Sequence, residues 1–218
     1  MTSLREELAA TIARIAARGW CPATAGNYSV RLPGESFKIL VSPSGVDKTQ
    51  LRASGLIEIS SRGDLLHGDG KPSAEYLLHL AIYEEMGAAA VLHVHTIWNT
   101  LLSCEYLRDG SIRLSGYEIL KGLAGVTTHE HTETVPILEN SQDMVELSQL
   151  LRTTLRKYPE SHGFLLSGHG LYTWGDSISA AYRHLEALEF LFEVYARERT
   201  RQRSFGVKEI KHGKSSYS

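Results

Sequence analysis

The 218-residue chain reads as a single mixed α/β domain. Three observations point that way. The length suits one domain, or at most two, with ample room for a core. Short strand-like runs and hairpins bounded by turn residues alternate with segments of helical period. Neither an internal repeat nor a linker divides them.

The elements follow in order. Residues 2–18 predict an amphipathic helix, with Leu4, Leu8, Ile12 and Ile15 on one face and Arg5, Glu6, Glu7, Arg14 and Arg18 off it. Gly19 stops that helix. Residues 30–32 and 37–42 predict a hairpin through Pro33-Gly34, and residues 56–60 and 65–66 a second across Ser61-Arg62-Gly63-Asp64. A helix over 73–86 ends at Gly87, with Ser73 as its cap and Glu75 in its first turn. An apolar strand over 88–95 follows at once. Further helices are predicted from about Asn99, over 115–123, over 141–157 with Ser141 and Asp143 at its start, and over 176–199. Residues 163–167 and 171–174 are short strands on either side of Gly168-His169-Gly170.

The bulk properties exclude several function classes. Hydrophobic residues make up 42% and charged residues 22%, ordinary for a soluble globular chain. A net charge of −2 gives no global attraction to nucleic acid or membrane. Two cysteines, Cys21 and Cys104, form no disulfide framework and point to a reducing compartment. The N-terminus lacks the apolar centre of a signal peptide, and no apolar run is long enough to span a bilayer, so the cytoplasm is the default location. The end of the chain is basic, through Arg197, Arg199, Arg201, Arg203, Lys208, Lys211 and Lys214. It reads as a solvated helix end with a frayed tail, or else as a segment that contacts phosphate or another subunit.

The chemistry begins at His93-Val94-His95, where two imidazoles interrupt an apolar strand. Residues two apart on a strand share a face, about 7 Å apart along the chain, so both rings can converge on one metal ion. The alternative is a pair of interior histidines with satisfied ring nitrogens. His129-Glu130-His131 has the same spacing but lies in a polar stretch, and reads as a solvated loop. His169, between two glycines at a strand-to-strand turn, is the natural third ligand. Three neutral imidazoles with an open position make a catalytic zinc arrangement. Gly26-Asn27-Tyr28-Ser29 and Ser42-Pro43-Ser44-Gly45-Val46-Asp47-Lys48 offer backbone N–H groups, hydroxyls and an ammonium, a setting for a phosphate or simply two polar turns. Glu75 and Glu118 are the carboxylates suited to proton transfer. Their plainer roles are helix-start stabilisation and a solvated helix face.

Together these segments resemble the class II aldolase/adducin family. The family-wide marks are Thr24-Ala25-Gly26-Asn27-Tyr28-Ser29, Ser42-Pro43-Ser44-Gly45, Pro72-Ser73-Ala74-Glu75, His93-Val94-His95 and Gly168-His169-Gly170. Glu118-Ile119-Leu120-Lys121-Gly122, Val135-Pro136-Ile137-Leu138-Glu139-Asn140 and Leu171-Tyr172-Thr173-Trp174-Gly175 resemble its methylthioribulose-1-phosphate dehydratase branch. The likeness covers roughly residues 5–195. It implies a single-domain α/β/α sandwich around a mostly antiparallel central sheet, over residues 1–200, with a basic C-terminal tail over 201–218. It implies one zinc ion per subunit on His93, His95 and His169. It implies substrate phosphate held by Gly26, Asn27, Ser29, Ser44, Gly45 and Ser73, and a homotetramer, without nucleic-acid or membrane partners.

In family aldolases the carboxylate matching Glu75 binds metal in the empty enzyme and moves protons. In the dehydratases the carboxylate matching Glu118 is the catalytic acid/base, and some of them carry cysteine at the position of Glu75. The resemblance therefore implies a zinc-dependent lyase that dehydrates a phosphorylated thiosugar in methionine salvage. A sugar-phosphate aldolase or 4-epimerase, with Tyr217 of the tail as a proton donor, is the alternative within the family. A non-catalytic adducin-like binding module is the alternative outside enzymes.

Overall fold

The computed structural model describes residues 3–205. The tail residues Lys208, Lys211, Lys214 and Tyr217 lie outside them. Among the described residues, nine strands form one sheet in the order β4-β3-β2-β1-β5-β9-β8-β7-β6. They are β1 (Asn27–Arg31), β2 (Lys38–Val41), β3 (Ile57–Ser60), β4 (Leu65–His67), β5 (Ala90–Val94), β6 (Ser111–Ser115), β7 (Thr132–Leu138), β8 (Gly163–Leu166) and β9 (Gly170–Gly175). Every neighbouring pair is antiparallel except β7 and β8. The helices are α1 (Leu4–Ala17), α2 (Tyr76–Met86), α3 (Ile97–Glu105), α4 (Met144–Lys157) and α5 (Ile178–Phe205).

Strand alternation divides the core into two layers. On β5, Ala90, Leu92 and Val94 join Leu8, Ile12 and Ile15 of α1, Leu102 of α3 and Leu185, Leu188 and Leu191 of α5. Val91, on the opposite face, joins Leu78 and Ile82 of α2 and Leu147, Leu151 and Leu155 of α4. The result is the expected α/β/α sandwich. No helix among the described residues is long and apolar enough to cross a membrane.

Local chemistry sets the element ends. Ser3 caps α1 in a reciprocal capping box with Glu6, and Asp143 caps α4 through Val145 and Glu146 N–H. Helix α3 starts at Ile97 rather than near Asn99, because Thr96 and Asn99 form a second capping box. Helix α2 starts at Tyr76, so Ser73 is not its cap. Glu75 takes that position, and the Ser73 hydroxyl instead accepts from the Glu75 N–H and donates to its carboxylate. The short helix expected over 115–123 is a 3₁₀ turn, Glu118–Gly122, and α5 continues past residue 199 to Phe205.

Strands β6 and β7 were not expected. Pro136 argues against a ladder, since it cannot donate. The next residue, Ile137, donates its N–H to Gly110 O on the β6 side, so the nitrogen of Pro136 faces the β8 side one residue before the β7–β8 ladder begins at Ile137.

Leu188 is fully buried on α5 against the β8 backbone. Leu188→Ala is expected to lower unfolding stability by about 2–5 kcal/mol, measured by urea titration. A change within the error of the titration contradicts the packing described.

Candidate metal centre

The sheet register builds this site. Asn27 on β1, His93 on β5 and Tyr172 on β9 lie side by side across three strands. His93 stacks on Tyr172 with centroids 3.8 Å apart, and Tyr172 stacks on Phe164 of β8. His95 is two residues beyond His93, past the end of β5. His169 occupies the β8–β9 turn, whose tight reversal places Gly168 at a φ of +65°. A Cβ on Gly170 would collide with Val94 O and lie 2.9 Å from the His93 ring and 3.2 Å from the His95 ring. The glycine after His169 therefore lets the turn close onto β5.

One donor atom from each of His93, His95 and His169 lies within 4.8 Å of the other two. His93 donates its Nδ1–H to Leu171 O at 3.0 Å, and His169 Nδ1 faces Asn140 Oδ1 at 3.2 Å. Their Nε2 lone pairs consequently converge 3.3 Å apart, with His95 Nε2 at 2.8 Å from His93 Nε2. Glu75 Oε1 completes the cluster, 3.0 Å from His169 Nε2 and 3.8 Å from His93 Nε2. Four electron-pair donors aimed at one point require a positive charge among them. Burial pushes the His93 imidazole well below its ordinary pKa and His95 down to about 4, so protonation is disfavoured at neutral pH. A metal ion meets the same demand. Three imidazoles with a carboxylate fit zinc in number and donor type.

Glu75 is held from several sides. Asn27 Nδ2 donates at 2.5 Å, Ser73 Oγ at 3.0 Å and Tyr172 OH at 3.0 Å. Burial works to raise its carboxyl, but positive charge in the imidazole cluster, together with the hydrogen bonds Glu75 accepts, outweighs this and holds it far below the usual carboxylate range. Behind it runs a directed hydrogen-bond chain. His79 Nε2–H faces Asn27 Oδ1 at 2.5 Å, which turns the Asn27 amide toward Glu75. His79 Nδ1 then accepts from Ser29 Oγ, and Ser29 Oγ accepts from Tyr83 OH, both at 2.7 Å. His79 is fully enclosed, which brings its pKa down to about 4 and keeps the ring neutral. Tyr172 and His79 were missed from sequence. His79 had one visible signal, four residues after Glu75 on the same helix face.

Most of the expected phosphate residues share one rim. Ser44 N–H donates to Lys71 O, Asn27 to Glu75, and buried Lys48 reaches Thr24 O at 2.9 Å. These bonds tie together the turns holding Gly26, Asn27, Ser44, Gly45 and Ser73. Gly26 has a φ of +82°, and a Cβ there would lie 2.7 Å from His93 O. Ser29 does not belong to this rim. It is fully buried, and its hydroxyl is engaged by His79 and Tyr83.

Glu118 is also absent from the cluster. Its side chain is 72% exposed and bonded to Lys121 Nζ at 2.6 Å. Strand β7 runs parallel to β8, so its C-terminal end lies at the His169 end of the sheet. Residues 116–131 hang from its other end, where Ser115 pairs with Thr132. Seven residues of β7 separate the two ends by roughly 20 Å. His129 and His131 belong to the same segment. His129 is exposed, whereas His131 departs from the expected solvated loop and contacts buried Glu133 at 3.1 Å.

Comparisons with known proteins show the family and the fold. The family model described as "Class II Aldolase and Adducin N-terminal domain" matches residues 6–196. The methylthioribulose-1-phosphate dehydratase of Marinobacter nauticus is 43% identical over 179 residues, 81% of this chain and 84% of that relative. That of Acidiphilium cryptum is 42% identical over 206 residues, 93% of this chain and 94% of that relative. Among solved structures, the L-fuculose-1-phosphate aldolase of Thermus thermophilus aligns with a TM-score of 0.73 at 26% identity, over 94% of this chain and 98% of that one. YgbL from Klebsiella pneumoniae aligns with a TM-score of 0.76 at 27% identity, over 95% and 92% of the two chains.

Adding zinc to metal-stripped protein is expected to raise the melting temperature, because the ion binds the folded cluster and not the dispersed ligands. Gly170→Ala should abolish that shift by pushing the His169 turn off β5. A full zinc-induced shift in Gly170→Ala contradicts the close approach described.

Proposed function

Because the chain belongs to the class II aldolase and adducin family, we propose that it dehydrates 5-methylthioribulose 1-phosphate to 2,3-diketo-5-methylthiopentyl 1-phosphate, a step of methionine salvage. The observation that carries this reading is the convergence of three imidazole lone pairs and an ionised carboxylate beside a rim of small-residue turns. The dehydratase relatives, at 42–43% identity over most of their length, supply the substrate class.

In this reading His93, His95 and His169 hold one zinc ion. That ion supplies Lewis-acid stabilisation of the negative charge developing on the substrate's oxygens. Gly26, Asn27, Ser44, Gly45 and Ser73 anchor the phosphate and thereby place the reacting carbons at the triad. Asn27 contributes its backbone, since its amide is committed to Glu75 and His79. Glu118 takes the proton from C3 and returns it to the C4 hydroxyl, which leaves as water. Its hydrogen bond and ion pair with Lys121 lower its pKa, so it rests ionised. Glu75 takes the remaining C3 hydroxyl proton, which passes to C4 as the enol becomes the second ketone.

Glu118 hangs from the end of the sheet opposite its own triad, so we assign its action to a second copy of the chain. A homo-oligomer, tetrameric in this reading, brings the exposed carboxylate of one subunit to the triad of another. The second reading is a sugar-phosphate aldolase. It is favoured by the Thermus structure and by glutamate, not cysteine, at position 75.

Diketone formation from 5-methylthioribulose 1-phosphate should stop with a chelator and return with zinc. Release of an aldehyde fragment from a different phosphosugar, with no diketone, decides for the aldolase. Glu118→Gln should keep its zinc while turnover falls by roughly 10²–10⁴-fold. His95→Ala should lose zinc and turnover together. Co-assembled His95→Ala and Glu118→Gln subunits should recover activity that neither has alone, because some hybrid sites combine an intact triad with an intact Glu118. Absence of recovery in verified hybrids contradicts delivery from a second copy.

A further inference from the structure

A second cluster of titratable groups lies far from the triad, at the root of the segment carrying Glu118. It comprises Glu133 near the start of β7, His162 just before β8 and His184 on α5. Glu133 is 1% exposed, and both its oxygens are engaged. Oε1 accepts the His162 backbone N–H at 2.9 Å, while Oε2 lies 3.1 Å from His162 Nδ1 and 3.1 Å from His131 Nε2.

The two imidazoles hold a single residue between them. His162 Nε2 faces Ala124 O at 2.9 Å, and the Ala124 N–H donates to His184 Nε2 at 3.1 Å. His184 gives its Nδ1–H to Trp174 O at 2.7 Å, so Nε2 is free to accept and the ring is neutral. Burial agrees with this, taking its pKa down to about 4. His162 differs. Both its ring nitrogens face acceptors, a carboxylate and a carbonyl, so only the doubly protonated imidazolium satisfies both. Ala124 follows the 3₁₀ turn Glu118–Gly122, whose Leu120 is anchored in the core together with Leu123. Fixing the amide groups on both sides of Ala124 therefore ties the middle of the arm of residues 116–131, six residues after Glu118, to the start of β8 and to α5.

We propose that His162, with Glu133 and His184, is a positioning residue for Glu118, locking the arm of residues 116–131 in the orientation that presents its carboxylate. This rests on the assignment of Glu118 as proton carrier. The lock has a pH dependence whose sign follows from the two acceptors that face His162. Burial pulls the His162 pKa down, but the hydrogen bond and charge of Glu133 outweigh that and raise it above its ordinary value. Among the described residues, Glu160 in the loop before β8 also faces His162, Arg183 on α5 faces His184, and His131 before β7 contacts their shared neighbour Glu133. A histidine with a raised folded-state pKa keeps its contribution below about pH 6.5 and loses it as pH rises through the raised value. On the alkaline side one of the two acceptors loses its donor and the arm loosens.

The test combines hydrogen–deuterium exchange of residues 116–131 with kcat and KM between pH 6 and 9. It uses the full-length oligomer, as wild type, His162→Gln and Glu118→Gln. In the wild type, exchange of the arm, corrected for intrinsic rates, should rise along the alkaline limb on which kcat falls, with KM nearly constant. His162→Gln should exchange rapidly already at pH 6, lose that limb and show kcat reduced by about 10–100-fold. Its zinc content should be unchanged. Wild-type protection that does not vary with pH overturns the lock, and needs no variant. A loosened arm with undiminished kcat in His162→Gln overturns the positioning role. Normal turnover in Glu118→Gln would remove the catalytic assignment alone, and the exchange data would still decide whether His162 holds the arm.

Discussion

Like charges and lone pairs do not gather in a protein interior without compensation, and this fold gathers four donors at one point. Three Nε2 atoms and a carboxylate oxygen meet where the end of β5 passes the β8–β9 turn. Much of the surrounding structure serves that meeting. The antiparallel register aligns Asn27, His93 and Tyr172. Gly170 allows the turn to approach, and Leu171 O and Asn140 set the tautomers of His93 and His169. In metal sites such outer contacts orient the ligands and tune their basicity.

A polar chain under the sheet completes the arrangement. From Tyr83 through Ser29, His79 and Asn27 to Glu75, each group has one orientation that satisfies the next. Buried networks of this kind are stabilising only when every member is paired. Ser29 thus acts as a link that keeps Asn27 facing Glu75, not as a contact to phosphate. The rim above depends on a different set of bonds, Lys48 to Thr24 and Ser44 to Lys71, which join three turns distant in sequence.

What could be read from the sequence follows the range of the physics involved. His93 and His95 were visible because a two-residue period is a local property of a strand. The glycines beside His169 were visible because a close backbone approach forbids a Cβ. Helix α1 and the Asp143 cap obey similarly local rules. Strands β6 and β7 were hidden, since Pro136 is tolerated only because its nitrogen faces β8 just before that ladder begins, and where a neighbouring strand starts is a global property. The direction of the Ser29 hydroxyl depends on His79 and Tyr83, some fifty residues away. The distance of Glu118 from its own triad follows from the single parallel pair in the sheet, which no local pattern encodes.

The most direct test of this account is zinc-edge X-ray absorption on the purified, zinc-loaded protein. The cluster predicts a shell of nitrogen and oxygen at about 2.0–2.2 Å containing three imidazoles. Histidine scattering should be lost in part when His169 is replaced by alanine. A sulfur shell at about 2.3 Å, or a spectrum unchanged by that substitution, would place the metal elsewhere and contradict the account.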